Sequence, residues 1–313
     1  MAYAAPHTMT SAPPDEPIPY GGPVLDGTEL QRISQRSDLR GAMQLGAHTA
    51  CIAATTLLVW VALPFWYLLV PAMVVHGVTI VTLFAPMHEC VHRTAFASRT
   101  ANVIIGWIAG VLSFYNSTYY RHYHSWHHRY TQDPTRDPEL MFPKARNRIE
   151  YMIEISAIMF WVRRGIDYPA LALGRTGQLP FVPGQARKPI ALSMSVQLAV
   201  YAVGAASIML LSPAVLYYWF LPALLAQPFL RTLLIAEHTG CSQGGNGLTN
   251  TRTTLAGFPI RLLMWNMPYH AEHHLYPSIP FHHLPALHLK LRRQLKHVAP
   301  GYVAANRAVI RSL

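Results

Sequence analysis

The chain has 313 residues, of which 51% are hydrophobic and only 12% charged, about half the charged share of an ordinary globular domain. That excludes general disorder and a wholly water-soluble protein. The net charge of +11 does not call for nucleic acid, because the basic residues flank apolar stretches, where they orient a chain in a bilayer and meet anionic headgroups. Cys51, Cys90 and Cys241 form no C-x-x-C and no disulfide framework.

Residues 1–40 are rich in Pro, Gly, Ser and Thr and contain no apolar run. They read as a disordered tail with room for a short amphipathic helix over 27–40, and they lack the basic start and apolar core of a signal peptide. No Asp, Glu, Lys or Arg occurs over 41–87, 100–120 or 189–230. A bilayer-spanning helix needs about 20 apolar residues, so the first and third stretches each hold two. The first hairpin has Pro64 and Pro71 about its middle; the second turns at Ser212–Pro213. The fold class is therefore an all-α membrane protein with four transmembrane helices in two hairpins. Residues 88–188 carry thirteen Lys/Arg against seven Asp/Glu, residues 237–313 carry eight against two, and both hairpin turns are uncharged. By the positive-inside rule the polar regions and both termini face the cytoplasm.

The apolar stretch 101–115 is too close in length to a span to be assigned by hydropathy alone. A single crossing there would put histidines on opposite sides of the membrane, so a re-entrant or interfacial helix is expected. Residues 149–162 read as an amphipathic segment at the membrane surface.

Seventeen histidines stand beside fourteen carboxylates. Three clusters contain eight of them: His88 and His92; His124, His127 and His128; His270, His273 and His274. On a helix, side chains at i, i+3 and i+4 share a face, so each cluster can converge on one spot. Imidazole suits zinc, copper, iron or nickel. Eight imidazoles exceed the needs of one zinc, so two metals are expected. His238, where the fourth span leaves the membrane, is a ninth candidate. His48 and His76 lie within the first hairpin, and His76 is about three turns from His88, too far to join it. His7, His122, His282, His283, His288 and His297 carry no metal reading.

These three boxes, together with Asp133-Pro…Asp137-Pro-Glu139 and His270-Ala-Glu-His-His-Leu-Tyr-Pro, resemble the membrane fatty acid desaturase family over about residues 45–297. Ala236-Glu-His-Thr-Gly-Cys241 followed by Asn250-Thr-Arg-Thr-Thr254 is similar to a bacterial branch that includes enzymes acting on dihydrorhizobitoxine, an amino-acid ether. The resemblance implies two ferrous ions held by the nine histidines, a cytoplasmic helical cap with interfacial helices, dioxygen as co-substrate and no covalently bound cofactor. It also implies a bacterial inner membrane. On this basis residues 1–40 are a cytoplasmic tail, 41–300 the catalytic domain and 301–313 a C-terminal tail. The implied reaction puts a C=C bond into a fatty acyl substrate. Hydroxylation and desaturation of a small molecule are alternatives within the family, since the first C–H cleavage is shared.

Metal-bound imidazoles are oriented through their other ring nitrogen. Asp133, Asp137, Glu139, Glu237 and Glu272 are candidates for that role, with a helix cap or a salt bridge as the equal alternative for each. Asn266 could hold a metal-bound water or cap the helix. Trp126 and Trp265 read as packing or interfacial aromatics. Arg121, Arg129, Arg231 and Arg252 could meet a polar substrate. The sequence has no His-Pro-Gly-Gly haem motif and no cysteine set for an iron–sulfur cluster, so a ferredoxin, flavoprotein or cytochrome is expected to supply electrons.

Two rivals remain. His88-Glu-Cys-Val-His92 also satisfies H-E-x-x-H, the zinc protease signature with Glu89 as general base, but the only Asp-Gly, Asp26-Gly27, lies upstream and two boxes are left unemployed. A metal transporter would place ligands within the spans, whereas these clusters begin where the spans end.

Overall fold

A computed structural model describes residues 25–142 and 144–313; the expected tail lies, up to residue 24, outside the described residues. A short helix, α1 (Gly27–Ile33), is capped by the Asp26 carboxylate. Helix α2 (Asp38–Ala62) follows. Helices α3 (Trp66–Val81) and α4 (Phe84–His92) together form the second apolar rod, Trp66–His92. They are separated because Pro86 has no N–H for the Thr82 carbonyl and its ring crowds that group. The turn tightens, Ala85 N donates to Thr82 O instead (2.9 Å), and α4 restarts with both its histidines facing inward.

Among the described residues, four rods are long and apolar enough to span a bilayer: Asp38–Ala62, Trp66–His92, Gly184–Leu210 and Leu216–His238. The expected fold class is thus met, but the packing is not two equal hairpins. Helix α3 has α2 on one side and α10 (Leu221–His238) on the other. Close approach of α3 and α10 depends on Gly77, where a Cβ would overlap the Pro222 carbonyl. Helix α9 (Arg187–Leu210) leans instead on α6 (Ser117–Tyr130) and α8 (Ile158–Ala172). The physical reason is polar: Asn116 Nδ2 donates to Ser193 Oγ (3.1 Å) and Gln197 Oε1 (2.9 Å), and Gln197 Nε2 donates to Tyr115 O (3.1 Å). Buried amides of this kind hold a helix where their partners are. The outward faces of α2 and α9 expose Leu57, Trp60, Leu192, Val203 and Met209, as lipid-facing surfaces do. Trp60, Phe65, Trp66 and Tyr67 ring the first turn like an interfacial aromatic belt.

Helix α5 (Arg99–Leu112) covers the doubtful apolar stretch. Its 14 residues reach only about 21 Å at 1.5 Å per residue, short of the roughly 30 Å hydrocarbon core. It lies against α4, where a Cβ on Gly106 would stand 2.7 Å from the Cys90 Cβ. Residues 149–162 fall in α7 (Arg148–Ile155) and α8, and expose Ile149, Met152, Ile158, Met159 and Val162, consistent with an interfacial segment.

Beyond α10 come α11 (Gly247–Asn250), α12 (Phe258–Leu263), α13 (His270–Leu275), α14 (Leu284–Leu291) and α15 (Tyr302–Arg311). Strand β1 (Arg252–Thr254) pairs in parallel with β2 (His297–Ala299), Thr253 opposite Val298. The segment expected as a C-terminal tail is largely α15, whose Asn306 accepts from Tyr151 OH (2.8 Å) and donates to Thr232 O (3.0 Å).

Candidate metal centre

Nine histidines meet where α4, α6, α10 and α13 end or begin. His88 and His92 come from α4, His124, His127 and His128 from α6, His238 from the last position of α10, and His270, His273 and His274 from α13. They divide into two groups. His88, His92, His124, His128 and His273 have ligand nitrogens all within 4.8 Å of one another, as do His127, His238 and His274. His270 joins the second group, its Nε2 lying 3.1 Å from Nε2 of both His238 and His274.

Helix geometry explains the division. At about 100° per residue, i and i+4 are separated by about 40°, while i+3 points some 60–100° away from them. The pair His124/His128 therefore serves the first group and His127 the second. On α13 the roles reverse: His270/His274 serve the second group and His273 the first. Each H-x-x-H-H box supplies both groups.

The inner nitrogens are set up for cations. Nε2 atoms face one another at 3.0 Å (His124/His128) and 3.2 Å (His127/His238), and at most one proton can occupy such a pair. Both nitrogens of His88 and of His273, and Nε2 of His92, are buried without a hydrogen-bond partner. Buried polar atoms left this way are rare unless an ion or water belongs there. Burial first, and neighbouring histidines second, hold His124, His128, His270, His273 and His274 well below the ordinary imidazole range. They are neutral and carry lone pairs, the form that binds metal. His127 alone is raised: burial opposes its charge, but the carboxylates of Asp137 and Glu139 outweigh it.

Four histidines turn Nδ1 outward. His127 donates to Asp137 Oδ1 (2.8 Å), His238 to Asn250 O (3.3 Å) and His274 to Thr131 Oγ1 (3.2 Å), whose own hydrogen is given to His127 O (2.7 Å), while His124 Nδ1 shares a hydrogen bond with Tyr120 OH (3.2 Å). The first three partners can only accept and so fix the tautomer that leaves Nε2 free for a metal; the Tyr120 hydroxyl serves either role and orients the His124 ring. Asp137 is itself held by the backbone N–H groups of Gln132 (2.7 Å) and Glu139 (2.9 Å).

The other carboxylates sort differently. Glu139 Oε1 lies 3.7 Å from His127 Nε2, and Glu237 Oε2 lies 3.3 Å from His270 Nε2. Glu272 touches no box histidine in this way: it accepts from Thr253 Oγ1 and His288 Nδ1, tying α13 to β1 and α14. His288 is thus a half-buried partner of Glu272. Asp133 pairs with Arg136 at 2.7 Å. Asn266, in the left-handed region at φ 58°, donates to Phe281 O (3.2 Å) and shapes the loop before α13. Trp126 and Trp265 donate to Arg136 O (3.0 Å) and His48 Nδ1 (3.3 Å), and so are packing residues. His76 is held by Thr55 (2.9 Å) and Tyr218 O (3.0 Å). Arg252 is buried and donates to the Ala236 and Thr239 carbonyls; it caps α10 and positions His238 rather than meeting a substrate.

Sequence reasoning missed Tyr120, Thr131 and Asn250 as partners of the box histidines. Tyr120 stands four residues before His124, a spacing that could have flagged it. Thr131 and Asn250 meet their histidines only through tertiary packing. Glu89 accepts from Thr94 Oγ1 (2.8 Å) and lies 3.6 Å from His88 Nδ1. The protease reading loses ground here, because His88 and His92 join three further histidines and Asp26 is spent on capping α1.

The family model for fatty acid desaturases matches residues 58–306. The chain belongs to the fatty acid desaturase family. Among individual relatives, the chain is 26% identical over 272 residues to dihydrorhizobitoxine desaturase of Bradyrhizobium elkanii, covering 79% of this chain and 75% of that protein. It is 24% identical over 259 residues to a fatty acid desaturase of Bacillus subtilis, covering 74% and 70%. A shorter match, 33% over 72 residues, joins it to sn-1 oleoyl-lipid 12-desaturase of a Picosynechococcus species, covering 23% of this chain and 21% of that one. The resemblance drawn from the boxes is therefore correct at the level of family, which makes the protein an oxidoreductase by membership.

Proposed function

We propose that the protein is an oxygen-dependent di-iron desaturase that introduces a C=C bond into a fatty acyl substrate. The observation that supports it most is the pair of histidine groups at the ends of the membrane rods, one of five imidazoles and one of four. Iron held there would supply the oxidising power to take hydrogen from an unactivated C–H bond at the expense of dioxygen. His88, His92, His124, His128 and His273 would hold one ion; His127, His238, His270 and His274 the other.

The chain's own residues do the rest. Asp137, Tyr120, Thr131 and the Asn250 carbonyl hold the imidazoles in register, so little reorganisation is needed during turnover. Burial keeps water from the reacting carbon. Electrons must come from a separate ferredoxin, flavoprotein or cytochrome docking on the basic face, which we assign to the cytoplasm with both termini. A bacterial inner membrane fits the relatives' sources.

A second substrate reading, a small amino-acid ether, is favoured by the long match to dihydrorhizobitoxine desaturase. Product analysis decides between them. The purified enzyme, with a reducing system and dioxygen, is offered acyl lipids and dihydrorhizobitoxine in parallel. A new double bond in the lipid, absent with His273→Ala, supports the first reading; turnover of the ether alone overturns it.

A further inference from the structure

The two histidine groups are not equivalent, and the difference lies in Glu237. The first contains five imidazoles; the second contains four, with Glu237, His238 and His270 forming a set whose ligand atoms lie within 4.8 Å of one another. Glu139 forms a like set with His124 and His127, one from each group, but it is 35% exposed and stands 3.7 Å from His127 Nε2, so Glu237 is the buried and closer carboxylate. Glu237 Oε2 is 3.3 Å from His270 Nε2, which is itself 3.1 Å from His238 Nε2. Its other oxygen, Oε1, is buried and has no hydrogen-bond partner. The Glu237 side chain is only 10% exposed. No arginine or lysine forms a salt bridge with it among the described residues. A buried carboxylate with no ion pair to hold it is costly; Arg231 acts on it only from beyond salt-bridge distance, whereas Nε2 of His270 stands 3.3 Å away.

We propose that Glu237 is a metal ligand, a fifth donor to the second ion alongside His127, His238, His270 and His274. This rests on the di-iron reading above and goes beyond it by making the two ions chemically different. The contrast with Asp137 is direct: Asp137 meets the outer Nδ1 of His127 and orients it, whereas Glu237 meets the inner Nε2 of His270, on the metal side. A hard anionic oxygen neutralises part of the charge of one ion and favours its ferric state over that of the all-nitrogen ion.

The test uses the full-length protein purified in detergent after growth on 57Fe, comparing wild type with Glu237→Gln and Glu237→Ala. The readouts are Mössbauer spectra of the reduced protein and iron per chain. The wild type should show two distinct doublets of equal area. In Glu237→Gln one doublet shifts while the other stays, and in Glu237→Ala iron falls from about two towards about one per chain, the loss of a ligand to a borderline divalent ion. Two irons with both doublets unmoved in Glu237→Gln would overturn the assignment while leaving the di-iron reading intact. A wild type without iron would overturn the di-iron reading and this assignment with it. Should Glu237→Ala aggregate, the isosteric Gln variant decides alone.

Discussion

At the residue scale, the centre depends on which imidazole nitrogen carries the proton. Asp137 fixes this for His127 and also adds negative charge that makes the ring a better donor. Asp137→Asn keeps the shape and most hydrogen bonds but removes the charge, so we predict a loss of iron affinity of about 10–100-fold, read by competition with a calibrated chelator. Unchanged affinity would show that Asp137 serves only its backbone partners. Protonation sets a second expectation. Imidazoles whose folded pKa lies below the unfolded value of about 6.5 bind fewer protons folded than unfolded. Their contribution to stability is intact above that value and is lost as pH falls below it. His124, His128, His270, His273 and His274 all shift in this direction, and only His127 opposes them. The metal-free protein should therefore melt at a lower temperature at about pH 5.5 than at about pH 7.5; a Tm that rises on acidification would contradict the assignment of neutral ligands.

At the element scale, the rod formed by α3 and α4 brings His88 to the same site as His238 at the end of α10, because α3 and α10 approach closely at Gly77. Gly77→Leu would push Pro222 and Ala226 away and is predicted to cost about 1–3 kcal/mol in overpacking, with a lower Tm and reduced iron binding from the second group. A stable variant with full iron would mean that the α3–α10 contact does not set the centre. Arg252 acts similarly at the far end of α10. Arg252→Ala frees the carbonyls of Ala236 and Thr239 and should release iron while the membrane rods stay helical by circular dichroism. The sequence made some of these elements plain and others not. Charge-free stretches marked the four rods, and the i, i+3, i+4 spacing of the boxes marked their ligands, because both are local patterns. The leaning of α9 on α6 was hidden, since it rests on Asn116 meeting Gln197 across 81 positions. Asn250 and Thr131 were hidden for the same reason. Glu272 was misplaced because adjacency to His273 says nothing about direction: its carboxylate points to Thr253 and His288. For α5, ambiguous by hydropathy, the folded chain adds a helix of 14 residues, shorter than a typical span.

At the scale of the whole molecule, lipid-facing rods bring four helix ends into one chamber, and loops close over it through α11, β1 and α13. That arrangement needs His88 and His238 to share a membrane side with both H-x-x-H-H boxes, which a fifth crossing by α5 would forbid. Cysteine labelling of 41–313 from either side of sealed vesicles should find positions in α5's flanking loops accessible from the same side. The central claim, however, is that two ions sit among nine histidines. Metal content of the detergent-purified protein, per chain and with zinc excluded from all buffers, tests it most directly. The account predicts about two irons, as befits two nitrogen-rich sites, falling in His92→Ala and His274→Ala. About one zinc with little iron, the content expected of a zinc hydrolase site, would contradict it.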